Sequence, residues 1–319
     1  MRICVFGAGG VGGYFGGLLA RSGAEVTFLA RGEHLQALQE RGLTLRIVRE
    51  AFTIPVKATD DPRTVGPVEL VLFCVKSYDT EAAGRTLPDL LAPEGIVLSL
   101  QNGVDNEDKL EAILGKGRVL GGAAYIWSTI TGPGLVTQTG GACKIVFGEL
   151  DGSSTERARR ILEVCQRAGF PCELTTNIRK VLWEKFLFIS ALGGMTALTR
   201  LPLGEILACP ETREMFRGIM AEIRAVGRAE GVPLEEDLVP RTMTFAEGLD
   251  PAGRSSLYHD FVTGRRLELD ALNGKVVELG RRHGIPTPMN FAVTASLRPY
   301  ALASGEARVR KDNPSPLIP

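Results

Sequence analysis

The run Gly7-Ala8-Gly9-Gly10-Val11-Gly12, directly behind the apolar stretch Arg2-Ile3-Cys4-Val5-Phe6, constrains this chain more than any other feature. A short apolar run bounded by glycine reads as a buried strand, and three spaced glycines let the chain turn tightly from it into a helix. Gly7 permits the turn, Gly9 leaves the backbone bare, and Gly12 lets the helix pack closely on the strand. The spacing predicts that helix over 10–21 and a second strand over 25–30. Such a helix start presents its N–H groups and the positive end of its dipole to a phosphate. The run therefore implies a dinucleotide whose pyrophosphate lies over Gly7, Ala8, Gly9, Gly10, Val11 and Gly12.

Downstream, strands and helices alternate. Leu70-Val71-Leu72-Phe73-Cys74-Val75 and Ile96-Val97-Leu98-Ser99-Leu100 are continuous apolar runs, the pattern of parallel strands covered on both faces. A crossover helix is predicted over 80–91, antiparallel strands over 121–131, 134–139 and 144–148, and an amphipathic helix over 154–168. After Thr176 the strand pattern stops and long helices run to about residue 304. The fold class is α/β: an N-terminal Rossmann domain over 1–176, an all-helical domain over 177–305, and a flexible, Pro-rich tail over 306–319.

The 319 residues carry 37 basic and 37 acidic side chains. Such a balance leaves no electrostatic footprint for nucleic acid or an anionic membrane. No uninterrupted apolar run reaches the roughly 18 residues of a membrane span, and the N-terminus reads as the first strand, not as a signal peptide. The six cysteines show no C-x-x-C spacing and read as reduced, structural thiols of a cytoplasmic protein. His34, His259 and His283 match no metal-ligand or triad pattern and read as surface or cap residues, so no metal is expected. The apolar helical half is compatible with a homodimer.

The second strand ends Leu29-Ala30-Arg31-Gly32, with a guanidinium where NAD-binding folds place an acid. Arg31 favours a 2′-phosphate, hence NADP(H). Lys76 and Asn102 come directly after the next two parallel strands and fall at the same crevice, where ligands of open α/β sheets bind. In the helical half, Lys185 lies on the helical stripe of Ile178, Val181, Leu182, Phe186 and Ile189. A lysine held in such a stripe is a candidate proton donor. Glu268 extends the stripe of Ala271, Leu272, Val276 and Leu279, a second charge where an apolar residue is expected.

Together with Trp183-Glu184, Pro202-x-Gly204-Glu205, Ser255-Ser256, Asn273-Gly274 and Gly284-Ile285-Pro286-Thr287-Pro288-x-Asn290, these residues resemble the ketopantoate (2-dehydropantoate) reductases over nearly the whole chain. The resemblance implies a Rossmann domain followed by a helical domain like the C-terminal domain of 6-phosphogluconate dehydrogenases. It implies NADPH-dependent reduction of 2-dehydropantoate to (R)-pantoate in pantothenate and coenzyme A synthesis. It also implies roles: Lys185 as general acid, Glu268 orienting it and the substrate, Ser256 on the substrate, Asn102 on cofactor and substrate, Arg31 and Lys76 on the cofactor. Where many members of that family carry asparagines, this chain has Ile189, Gly193 and Leu203. Another branched 2-oxo or 3-hydroxy acid is thus an alternative substrate, and a non-catalytic NADP sensor is the alternative from a different class.

Overall fold

The computed structural model describes residues 1–48 and 50–312, with side chains as far as residue 303. The tail expected over 306–319 lies outside the described residues from 313 onward. The chain divides into two compact units, Met1–Leu182 and Trp183–Pro319.

Unit 1 alternates strands and helices: β1 (Arg2–Phe6), α1 (Gly10–Arg21), β2 (Glu25–Leu29), α2 (Gly32–Arg41), β3 (Leu43–Arg46), β4 (Ala51–Ile54) and β5 (Lys57–Thr59). It continues through β6 (Val68–Phe73), α3 (Thr80–Gly84), α4 (Leu87–Leu90), β7 (Leu91–Ser99), α5 (Asn106–Leu114), β8 (Val119–Gly132), β9 (Leu135–Glu149), α6 (Glu156–Arg167) and β10 (Cys172–Leu174). One sheet of ten strands results, in the order β4-β3-β9-β8-β7-β6-β1-β2-β5, with β10 on β9. From β8 to β5 every pairing is parallel. Alternate side chains of β1 feed two cores: Ile3 and Val5 pack with Phe15 and Leu19 of α1, and Cys4 and Phe6 pack with Leu87, Leu90 and Leu110 from the other face. Burial on both faces explains why these strands read as unbroken apolar runs.

Three differences from the sequence reading are local. The crossover predicted over 80–91 is two short helices, because Leu87-Pro88 starts a new turn and Leu91 already pairs with Val68. The three predicted antiparallel segments are one long hairpin, β8 and β9, kinked by register shifts near Trp127. Strands β3, β4 and β5 are short and half-polar, and their pairing partners, not their own pattern, make them strands.

Helix α7 (Ile178–Thr199) contains the division between the units. Its first turn belongs with unit 1: Ile178 and Leu182 are buried with Ala123, and a Cβ on Gly121 would lie 2.9 Å from Ile178. By length and mean hydropathy α7 would suit a membrane span, yet 67% of its most apolar window is buried inside the protein. It is a core helix.

In unit 2, α7 is followed by α8 (Leu203–Ala208), α9 (Pro210–Ala229), α10 (Leu238–Glu247), α11 (Ser256–Val262), α12 (Asn273–His283) and α13 (Pro288–Asp312). Helix α9 buries Phe216, Ile219, Met220, Ile223 and Val226 at helical spacing and packs against α8, α10, α12 and α13. The Glu222 carboxylate caps α13 from α9, accepting the Met289 and Asn290 N–H groups at 2.8 and 2.9 Å. A carboxylate there pairs with the positive end of the helix dipole.

Candidate active site

Strand β1 lies between β2 and β6, so the chain leaves it in opposite directions on its two sides. This is a topological switch point, and the loops after β1, β2, β6 and β7 share one edge of the sheet because the four strands are parallel. That edge holds Gly7–Gly12, Arg31, Lys76 and Asn102. Backbone bonds continue past the strand ends and tie the loops to one another. The Leu29 carbonyl accepts the Gly7 and Ala8 N–H groups, Phe6 accepts Cys74, and Phe73 accepts Leu100.

The glycines have separable tasks. Gly7 has φ 103° and a Cβ there would lie 2.9 Å from the Cys74 carbonyl carbon. A Cβ on Gly12 would lie 2.2 Å from the Gly7 oxygen, and one on Gly10 would lie 2.2 Å from the Ser128 oxygen of β8. A Cβ on Gly9 would meet nothing within 4 Å beyond its own chain neighbours. Gly9 caps α1 without a side chain, and the first turn carries no acid. The open N–H groups and the space over Gly9 fit a pyrophosphate. Arg31, the residue capping α2, is exposed, and no carboxylate of the described residues pairs with it.

His34, read from the sequence as a surface or cap residue, is half-buried at the start of α2. Its Nδ1 accepts the Gly134 N–H at 3.0 Å, and its Nε2 is buried with no full hydrogen bond. Burial holds its pKa below the usual histidine value, against a smaller upward pull from the Ala8 carbonyl beside it.

Lys76 and Asn102 are half-buried and held by a buried amide network. Gln101 Nε2 donates to the Val75 carbonyl (3.0 Å) and to Thr80 Oγ1 (2.7 Å). Thr80 Oγ1 lies 2.9 Å from Asn106 Oδ1, and Asn106 Nδ2 donates to the Asn102 carbonyl at 2.9 Å. The network pins the loop after β6 to the loop after β7, and thereby sets both candidate ligand-binding side chains. Beside it, at the start of α5, Glu107 is 2% exposed. Burial, with the Asp108 and Asp105 charges adding to it, pushes its carboxyl up to about 7.

Unit 2 holds the other candidates. Val181, Lys185 and Ile189 form a half-buried row on α7, beside the fully buried row Ile178, Leu182 and Phe186. Four residues beyond Ile189, a Cβ on Gly193 would meet Leu257 of α11 at 3.6 Å and Leu272 at 3.7 Å. Ser256 is exposed at the first position of α11. Its neighbour Ser255 is the buried cap, accepting the Tyr258 N–H at 2.9 Å and bonded to Thr196 of α7 at 2.7 Å. That bond seats the start of α11 on α7. Glu268 is buried at 7% exposure, as its place among apolar residues suggested, but by another route. It precedes a 3-10 turn, Leu269–Ala271, and the backbone breaks at Leu272 (φ −108°, ψ −111°) before α12 begins.

Several motif residues serve packing. Asn273 and Asn290 are fully buried; Asn290 bonds Asn273, Glu222 and the Ile219 carbonyl in the core of unit 2. Gly204 packs on Pro251, where a Cβ would come within 2.6 Å. Leu203 is 1% exposed.

The family model described as ketopantoate reductase PanE/ApbA matches residues 3–152, and the model of that family's C-terminal part matches residues 177–301. The chain is 32% identical over 293 residues to a 2-dehydropantoate 2-reductase of Halobacterium salinarum, covering 91% of this chain and 95% of that one. It is 31% identical over 300 residues to a Bacillus subtilis protein named uncharacterized oxidoreductase YkpB, covering 94% and 99%. A crystal structure of a PanE/ApbA family ketopantoate reductase from Ralstonia eutropha matches with a TM-score of 0.89 at 36% identity, over 96% of this chain and 100% of that one. With this identity over nearly its whole length, the chain is an oxidoreductase and belongs to the ketopantoate reductase family.

Proposed function

We propose that this protein reduces 2-dehydropantoate to (R)-pantoate with NADPH, the step that feeds pantothenate and coenzyme A synthesis in the cytoplasm. The observation that carries the reading is the single edge of unit 1 on which the bare glycine turn, Arg31, Lys76 and Asn102 stand together. In this reading residues 1–176 hold the dinucleotide and 177–305 hold the substrate. The bound cofactor supplies hydride to the C2 ketone. The Gly7–Gly12 backbone holds the pyrophosphate, Arg31 the 2′-phosphate by charge-assisted bonds, and Lys76 and Asn102 the ribose and nicotinamide end.

On the substrate side, the Lys185 ammonium stabilises charge on the carbonyl oxygen and gives it a proton. Glu268 orients that ammonium, and Ser256 donates to the substrate. The test is a steady-state comparison: NADPH oxidation with 2-dehydropantoate against 3,3-dimethyl-2-oxobutanoate, which lacks only the terminal hydroxyl. A higher kcat/KM for 2-dehydropantoate supports the reading. Assembly as a homodimer is the companion reading, checked by light scattering.

One observation favours a second substrate. Beyond Lys185 the row on α7 continues with Ile189 and Gly193, and the three atoms nearest to a Cβ on Gly193 are leucine carbons. A substrate hydroxyl lodged there finds no polar partner, which costs binding. A higher kcat/KM for the hydroxyl-free acid favours this less polar substrate and overturns the first choice.

A further inference from the structure

We infer that His34 is a positioning residue for the dinucleotide, pinning the β8–β9 turn to the start of α2 and to the glycine turn. This assignment rests on the proposal that unit 1 binds a dinucleotide, and it adds a residue outside the glycine motif. His34 lies in the first turn of α2, three residues after Arg31, and the Arg31 carbonyl accepts the Leu35 N–H there. Its Nδ1 accepts the N–H of Gly134, one hundred positions away. Gly134 is buried and its own carbonyl accepts the Thr44 N–H at 2.8 Å, so the turn is gripped from both sides. On the other side the imidazole lies beside the Ala8 carbonyl, inside the glycine turn.

An Nδ1 that accepts leaves the ring proton on Nε2, the nitrogen shut off from solvent. The neutral ring thus joins three segments that surround the dinucleotide: the turn after β1, the start of α2 that carries Arg31, and the hairpin whose Ser128 backbone crosses Gly10. Without the Nδ1 acceptor the buried Gly134 N–H loses its partner, the hairpin turn loses its grip on α2, and the glycine turn and Arg31 lose their fixed spacing. The loss falls on cofactor binding and leaves the proton-transfer residues of unit 2 untouched.

The test compares His34→Leu, which keeps the bulk and removes the acceptor, with His34→Asn, whose Oδ1 takes the place of Nδ1. NADPH affinity is measured by nucleotide fluorescence, and kcat and KM by NADPH oxidation. We expect His34→Leu to raise the NADPH Kd about tenfold with kcat at saturation held within about twofold, and His34→Asn to return the Kd to within about threefold of wild type. Should the leucine variant not fold, His34→Met, which likewise lacks an acceptor at the Nδ1 position, takes its place with the same expectation. Wild-type affinity in the acceptor-free variant, or equal loss in the asparagine variant, overturns the assignment while leaving the dinucleotide reading intact. A wild type that binds neither NADPH nor NADH overturns both.

Discussion

The two units build their candidate sites from different materials. In unit 1 the dinucleotide edge is mostly backbone: bare N–H groups at the start of α1, glycines where a Cβ would collide, and strand ends set side by side by the sheet. In unit 2 the candidates are single side chains, Lys185, Ser256 and Glu268, carried by three separate segments of a helical core. A backbone site depends on glycine spacing and tolerates change almost anywhere else. A side-chain site depends on a few groups whose neighbours are free to vary, which is why the substrate is harder to read than the cofactor.

Four experiments press on this contrast, in order of expected effect. Replacing Lys185 by alanine should lower kcat about 10³-fold, within the range general acids supply, with the NADPH Kd unchanged within about twofold. Undiminished turnover would remove Lys185 from the chemistry and leave unit 2 without its proton donor. Gly12→Ala comes next. Its Cβ would collide with the Gly7 oxygen, and denaturant melts should show a loss of about 3 kcal/mol. The contrasting change, Gly9→Ala, meets open space and should keep stability within about 0.5 kcal/mol while weakening NADPH binding. If both variants bind and melt alike, the glycines do not divide between structure and ligand.

Glu107→Gln tests the buried carboxyl under the β7–α5 loop. Its folded pKa, about 7, stands above the ordinary 4.5, so the folded state holds its proton more tightly than the unfolded chain. The stability this brings is fully present below 4.5 and is lost as pH rises through 7. The glutamine variant should therefore melt with a flatter pH profile and gain about 3 kcal/mol over wild type at about pH 8. Parallel profiles would mean that Glu107 is ionised in the folded protein at neutral pH. The smallest effect is expected at Arg31, which is exposed. Arg31→Ala should raise the KM for NADPH about tenfold and that for NADH less than about twofold, since only one cofactor carries the 2′-phosphate. Equal changes would detach Arg31 from cofactor choice.

Much of unit 1 was legible because each of its signals is local. Strand β1, helix α1 and the turn between them occupy twenty consecutive residues, and their glycines announce themselves. The apolar runs of β6 and β7 were equally plain, and with parallel strands that was enough to put Lys76 and Asn102 on one edge. Strands β3, β4 and β5 were not legible, since four or fewer half-polar residues carry no period of their own. In unit 2 the apolar neighbours of Glu268 pointed to its burial, but the break at Leu272 that delivers it has no periodic signature. Asn273 and Asn290 drew attention as motif residues, and only their full burial and their mutual bond at 3.0 Å identify them as core.

The sequence alone determined the α/β class, the glycine turn, the order of the strand-end loops and the change to helices after residue 176, because these depend on neighbours in the chain. The tertiary structure decided which polar groups meet. His34 reaches Gly134 across one hundred positions, Glu222 caps a helix 67 residues on, and Glu107 is buried although no local pattern marks it for burial. Hydrogen bonds and desolvation act over a few ångströms in space, whereas hydrophobic period and turn chemistry act along the chain. The glycine run by itself implies a dinucleotide; which residues hold that run in place is a property of the fold.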